Sequence, residues 1–283
     1  MRIQRLLNAQ TLDIQVITAA RKGAVSGCPG CAAAGGGLVF RPATRKIRQT
    51  LTALNRSLEK TQKTADQLAV EQQKSENLLL NILPQSIAQR LKQSPETIAE
   101  GFADVTVLFT DIVGFTQLST EVPPEALVAL LNQIFSAFDQ LAEQHGLEKI
   151  KTIGDAYMAV CGLPDANPDH AQTSVRFALA LHDSIDKFNW ETGHSLSLRI
   201  GLNSGPVVAG VIGLKKFIYD LWGDTVNTAS RLESHGTPGT IQITESTFQH
   251  LQSQFHIEPL GLVDVKGKGR MMTYRVGEES QTA

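Results

Sequence analysis

Cysteine is scarce in this 283-residue chain, which has only Cys28, Cys31 and Cys161. That excludes a disulfide-built scaffold. Cys28-Pro29-Gly30-Cys31 has C-x-x-C spacing, but no second Cys or His pair follows to complete a zinc site. The strand-helix context of a thioredoxin-like redox motif is missing as well, so we read the pair as incidental. No uninterrupted apolar run is long enough to span a bilayer, which argues against a transmembrane segment. Charge of one sign is also lacking: a net charge of −2 gives no general reason to expect nucleic acid as a partner. Val25-Ser26-Gly27-Cys28 looks like a lipoprotein cleavage site, yet Asp13 and Arg21-Lys22 interrupt the stretch where an apolar h-region would lie. The expected location is therefore cytoplasmic. What the chain does have is 42% hydrophobic and 19% charged residues, enough for a packed core in one large domain or a medium domain with extensions.

Residues 1–43 are poorly defined. A few apolar positions are followed by a Gly-, Ala- and Ser-rich stretch from Gly23 to Gly37 that reads as a linker. From Thr44 the composition shifts to Gln, Lys, Glu and Leu, with no Gly or Pro before Pro84. Ile47, Leu51, Leu54, Leu58, Thr61, Ala65, Leu68, Gln72, Ser75, Leu79 and Ile82 recur in alternating four- and three-residue steps. That seam predicts a parallel coiled coil; the alternative is an amphipathic helix packed on its own domain. Polar seam positions such as Thr61 and Gln72 weaken the middle and can fix register. Pro84 breaks the helix and a short one restarts near Ser86, so residues 44–93 form a coiled-coil helix and connector. Residues 94–103 read as a loop.

Val105-Thr106-Val107-Leu108-Phe109-Thr110-Asp111 is an apolar, β-branched run that closes on a carboxylate. It predicts a buried strand with Asp111 at an accessible end. Gly114, just beyond, permits a tight turn that gathers backbone N–H groups. Lys149-Ile150-Lys151-Thr152-Ile153-Gly154-Asp155-Ala156-Tyr157-Met158 reads as a hairpin with a second carboxylate in its Gly154-Asp155 turn. Two carboxylates on neighbouring strand ends suit Mg²⁺, whose octahedron is completed by waters and phosphate oxygens. Taken singly, either Asp is an ordinary turn or cap residue. A helix opening at Pro123-Pro124-Glu125, hairpin strands at Leu147–Thr152 and Ala156–Val160, a helix over Asp169–Phe188 and an alternating strand over Leu196–Leu202 complete the order β-α-β-β-α-β. The fold class is α+β with a ferredoxin-like, antiparallel-rich sheet behind the long helix.

The second half holds Asp220-Leu221-Trp222-Gly223-Asp224-Thr225-Val226-Asn227-Thr228-Ala229-Ser230-Arg231. Asp224 or Thr225 can cap the helix that follows. On that helix Asn227 and Arg231 are four apart and share a face. With Phe-Thr-Asp-Ile-Val-Gly-Phe-Thr at 109–116 and Lys-Thr-Ile-Gly-Asp-Ala-Tyr-Met at 151–158, these motifs resemble the class III nucleotidyl cyclases, over about residues 102–277. The segment Asn81-Ile82-Leu83-Pro84 is similar to the connector that precedes many of their catalytic domains. Residues 278–283 are then a tail.

The resemblance implies roles. Asp111, Asp155 and the Ile112 carbonyl would hold two divalent ions, Mg²⁺ with Mn²⁺ as the alternative. Gly114, Phe115 and Thr116 would belong to the substrate site. Lys151 and Asp220 would read the purine edge, Asn227 the ribose, and Arg231 the α-phosphate. A lysine of Val265-Lys266-Gly267-Lys268-Gly269 would meet the terminal phosphates; Lys266 is preferred, with the register against Lys268 open. Adenine offers a donor at its 6-amino group and an acceptor at N1, which a Lys/Asp pair complements. Relatives that use GTP typically carry Glu and a small or thiol residue there. ATP is therefore the expected substrate and cyclic AMP the product. The family splits its site between protomers, and this chain carries both halves, so a head-to-tail homodimer is expected. A guanylate cyclase, a catalytically silent regulatory homologue and a palm-type polymerase are the competing readings. No recognisable sensor domain precedes the coiled coil.

Overall fold

A computed structural model describes residues 36–93, 98–213, 218–251, 254–265 and 268–279. Of the segment 1–43, residues 1–35, with Cys28 and Cys31, lie outside the described residues, as does Lys266, whereas residues 36–43 belong to a helix. The chain divides into two compact units, residues 1–73 and 74–283.

Helix α1 (Gly36–Leu80) contributes most of the first unit. At 1.5 Å per residue it is about 68 Å long. Residues 45–75 are all exposed. Ile47, Leu51, Leu54, Leu58 and Leu68 keep 47–67% of their surface open. The hydroxyl of Thr61, a polar seam position, donates to the Ser57 carbonyl one turn back and so is satisfied within its own helix. The helix stops short of Pro84, as the steric restriction before proline requires, and α2 (Gln85–Gln93) follows.

The second unit is built on a mixed sheet. Its strands are β1 (Ile98–Val113), β2 (Glu148–Ile153), β3 (Ala156–Cys161), β4 (Ser197–Ile212), β5 (Ile218–Trp222), β6 (Thr240–Thr244), β7 (Phe255–Val265) and β8 (Gly269–Glu279). Their order is β2-β3-β1-β4-β6-β8-β7, with β5 paired to β4. All pairs are antiparallel except β4 with β6. The β2-β3-β1-β4 part is the ferredoxin-like order. Helices α3 (Phe115–Glu121), α4 (Pro124–His145), α5 (His170–Thr192), α6 (Asp224–Ser234) and α7 (Glu245–His250) complete the unit.

Strand β1 is covered on both faces, which is why it reads as a continuous apolar run. Leu108 and Ile112 pack with Phe138 of α4 and with Phe177 and Leu181 of α5. Val105, Val107 and Phe109 pack on the other side with Leu83, Ile87 of α2 and Ala229 of α6. The side chains that alternate with the α4/α5 set thus point toward α6, and Asp111 is one of them.

Several sequence expectations need correction. Residues 98–103 are strand, not loop: Ile98–Phe102 pair with Val207–Val211 on an extension of β4. That extension also carries β4 well past the expected Leu202, to Ile212, because Gly205 stays in register with Val105 and Pro206 is accommodated by a bulge in β1, so neither ends the ladder. Strands β6–β8 and helix α7 were not anticipated. Neither Asp224 nor Thr225 caps α6: Gly223 holds the cap position with no side-chain hydrogen bond. The Thr225 hydroxyl instead donates to the Pro206 carbonyl.

Candidate active site

Asp111 stands near the C-terminal end of β1, directly opposite Ala156 of β3 and Arg199 of β4. Asp155 immediately precedes Ala156, in the turn between β2 and β3. The row across β3, β1 and β4 therefore holds Ala156, Asp111 and Arg199, with the second carboxylate, Asp155, adjoining it in the turn. Burial pushes the Asp155 carboxyl above its ordinary range, and the Asp111 charge pushes it further. Two crowded, partly desolvated carboxylates are a donor set for a hard divalent cation, which would relieve that repulsion. The side chain of Ile112 is buried in the core, so only its backbone carbonyl is available as a ligand.

Sequence reasoning missed Arg199. Its Nη2 donates to Asp111 Oδ2 at 2.6 Å. That hydrogen bond is the first reason its guanidinium is held above its usual value. Its Nε has no hydrogen-bond partner among the described residues; Glu233 Oε1 of α6 stands 3.7 Å away. A cation in the middle of the alternating stretch Leu196–Leu202 was the available signal, but its partner lies 88 residues away.

Gly114 takes a left-handed conformation, φ 84°, and starts α3. Phe115 packs against the core, whereas Thr116 is exposed. The Thr116 carbonyl accepts a hydrogen bond from the Ser119 hydroxyl at 2.7 Å.

Lys151 and Asp220, far apart in the chain, form an ion pair between Nζ and Oδ2. The second oxygen of Asp220 accepts from the Leu221 N–H at 2.8 Å. The pair is partly buried, with 34% and 17% of its side-chain surface open. It leaves a donor and an acceptor side by side at the edge of the sheet.

Helix α6 lies unusually close to β4. A Cβ on Gly201 would stand 2.4 Å from the Glu233 nitrogen and 2.7 Å from the Ala229 carbonyl oxygen. Thr225, Thr228, Ala229, Leu232 and Glu233 form the buried side of the helix. Asn227 and Arg231 fall on the opposite side at 100° per residue; Asn227 is exposed and Arg231 half-buried. The fold of one chain therefore joins Asp111 to Asp155, and Lys151 to Asp220. It turns Asn227 and Arg231 away from the carboxylate row. Lys268 forms an ion pair with Asp224 in the first turn of α6.

Residues 97–278 match the family model described as the adenylate and guanylate cyclase catalytic domain. An adenylate cyclase of Mycobacterium bovis is 45% identical over 214 residues, covering 75% of this chain and 48% of the relative. The human guanylate cyclase soluble subunit beta-2 is 43% identical over 223 residues, covering 78% of this chain and 36% of the relative. The chain thus spans about half or less of the length of these curated relatives. Among solved structures, the guanylate cyclase domain of RhGC from Catenaria anguillulae, in complex with GTP, superposes with a TM-score of 0.62 at 46% identity. That match covers 64% of this chain and 99% of the other.

Proposed function

The chain belongs to the adenylate and guanylate cyclase catalytic-domain family, the class III nucleotidyl cyclases, and from that membership we propose that it converts ATP to 3′,5′-cyclic AMP and pyrophosphate at sites shared by two copies. Membership alone leaves the base open, because relatives of both kinds are similar to this chain. The observation that carries the choice is the Lys151–Asp220 pair. Its ammonium faces an acceptor and its carboxylate a donor, which is the pattern of adenine N1 and the 6-amino group. Guanine held in the same orientation puts N1–H against the ammonium and O6 against the carboxylate, leaving both groups unmatched. Such a mismatch discriminates by roughly 10⁴-fold where the groups are buried, and by less at a partly open site.

Asp111, Asp155 and the Ile112 carbonyl would hold two divalent ions, Mg²⁺ or Mn²⁺. Bound there, the ions would supply Lewis-acid stabilisation of the attacking 3′-oxygen and of the departing pyrophosphate. The new bond joins the ribose 3′-oxygen to the α-phosphorus, the bond to pyrophosphate breaks, and the 3′-hydroxyl proton leaves to solvent. Asn227 orients the ribose. Arg231 sits where charge develops on the α-phosphate, so its contribution falls mainly on kcat. Gly114, Phe115 and Thr116 would belong to the substrate site, and a lysine of the stretch 265–269, Lys266 by preference over Lys268, would meet the terminal phosphates. Arg199 holds Asp111 in place within the row.

The dimer is supported by an exposed apolar face around Asp220. Val208 pairs with Trp222, Gly210 with Asp220, and Ile212 with Ile218 across β4 and β5, so all six share one face. Val208, Ile212, Ile218 and Trp222 are each exposed. A second copy docked head-to-tail on this face brings Asn227 and Arg231 of one chain to Asp111 and Asp155 of the other. A parallel coiled coil of α1 would hold the two chains together and bury the open row Ile47, Leu51, Leu54 and Leu58. We place the enzyme in the cytoplasm, where its substrate is.

The test is cyclisation by purified protein given ATP and GTP in equal amounts, with Mg²⁺ or Mn²⁺. Cyclic AMP is the expected main product. Replacing Lys151→Glu together with Asp220→Cys should move the preference toward GTP. Cyclic GMP as the main product of the unaltered chain would refute this reading of the pair. No product from either nucleotide would refute the activity.

A further inference from the structure

Three side chains converge at the other end of β1, outside the site described above. We propose that Asp104, His170 and His250 form a binding site for a transition-metal dication of the zinc class. Their candidate ligand atoms all lie within 4.8 Å of one another. His250 Nε2 is 2.8 Å, and His170 Nε2 3.5 Å, from the same Asp104 oxygen. A tetrahedral zinc ion with bonds of about 2.0–2.1 Å sets neighbouring ligand atoms about 3.3 Å apart. Both histidine–Asp104 distances lie within about half an ångström of that spacing.

The cluster is built by the fold. Ala103 and Asp104 of β1 together oppose a single residue of β4, Pro206. Proline cannot donate a ladder hydrogen bond, so a bulge forms there and re-aims the Asp104 side chain. His170 opens α5 and His250 closes α7. Each imidazole is fixed through its other nitrogen. His170 Nδ1 is 2.6 Å from the Thr106 hydroxyl, which in turn meets the Ser204 hydroxyl at 2.7 Å. His250 Nδ1 donates to the Ser246 carbonyl at 2.7 Å. Nδ1 partners of this kind orient metal-bound histidines and set their tautomer.

The His250 contact has a chemical consequence. Because Nδ1 carries the proton, the Nε2 of a neutral ring presents a lone pair to a carboxylate oxygen. Two acceptors at 2.8 Å require a positive species between or beside them. That species is either a second proton on His250 or a metal ion. His170 Nε2, directed at the same oxygen, adds a third ligand, which a proton does not use and a metal does. Two imidazoles with one carboxylate suit zinc, cobalt or nickel better than Mg²⁺. His170 is buried, whereas 47% of the Asp104 side chain and 35% of that of His250 are open, leaving room for water in a fourth position. Asp104 is seven residues from Asp111 on β1, roughly 20 Å along the strand. The site is thus distinct from the catalytic carboxylates. Metal there would clasp the β1 bulge to the start of α5 and the end of α7.

The test uses the full chain with Asp111→Ala and Asp155→Ala, stripped by chelator, and Co²⁺ as the probe. One equivalent of Co²⁺ should bind, with a visible d–d band and no thiolate charge-transfer band. Zn²⁺ should displace it and raise the melting temperature by about 5 °C at saturation. His250→Ala or Asp104→Asn in the same background should abolish the band. Both residues are partly exposed, and circular dichroism would verify the fold of each variant. Absence of the band in the folded parent, or a band that survives both substitutions, would overturn the proposal and assign the contact to a proton held between His250 and Asp104.

Discussion

Glu148, near the start of β2, bears on stability independently of the chemistry. Burial raises its carboxyl above the usual 4.5. A raised carboxyl pKa means the folded state binds the proton more tightly, so ionisation opposes folding as pH rises through the raised value. The penalty is absent below the unfolded pKa and complete once the pH exceeds the raised value. Glu148→Gln should therefore raise the melting temperature at pH 7.5, and the gain should shrink as the pH falls toward 4.5. An equal gain at both pH values would assign the effect to something other than the charge. Among the site residues, Asp111 and Asp155 were legible because each punctuates an apolar stretch and no core residue explains it. Lys151 and Asp220 were legible only through the resemblance, since their pairing spans 69 residues. Arg199 escaped notice because a lone strand arginine announces a partner without saying which.

Among the elements, α6 shows how one residue without a side chain positions a face. Gly201→Ala would drive a Cβ into the backbone of α6 at Glu233 and Ala229. Backbone cannot rotate away, so the helix must lift, at a cost of about 1–3 kcal/mol. The expected result is a lower melting temperature together with a fall in kcat, because Asn227 and Arg231 ride on that helix. A variant with full stability and full activity would show that the close approach does not matter. Helix α1 makes a separate prediction. Leu51→Lys with Leu58→Lys places charge in its apolar row and should shift the full chain toward monomer in sedimentation at low concentration. An unchanged dimer would remove α1 from the assembly. The long, strongly patterned elements β1, α4 and α5 could be read from periodicity and length. The edge ladder β7–β8 could not, because its apolar alternation is broken by two register shifts, between Phe255 and Ile257 and between Pro259 and Gly261. The continuation of β4 was hidden behind Gly205-Pro206, residues that ordinarily end a strand.

For the whole molecule, the proposed division of the site between two copies would decide the mechanism. The fold gathers the Asp111 and Asp155 carboxylates on one side of a chain and turns Asn227 and Arg231 outward from the other side of α6. On the proposed reading neither half is sufficient, and the exposed apolar face around Asp220 is where a second copy would complete both. Complementation tests this directly. Asp111→Ala and Arg231→Ala chains, each purified and assayed alone, should form cyclic AMP at roughly 10²-fold below the unaltered protein or less. Mixed and allowed to exchange subunits, they should regain up to a quarter of the unaltered activity, since about half the dimers are mixed and each has one intact site. Rescue of cyclic AMP formation on mixing is the predicted result. No rescue, with mixed dimers demonstrated by sedimentation or cross-linking, would contradict a site shared between two copies.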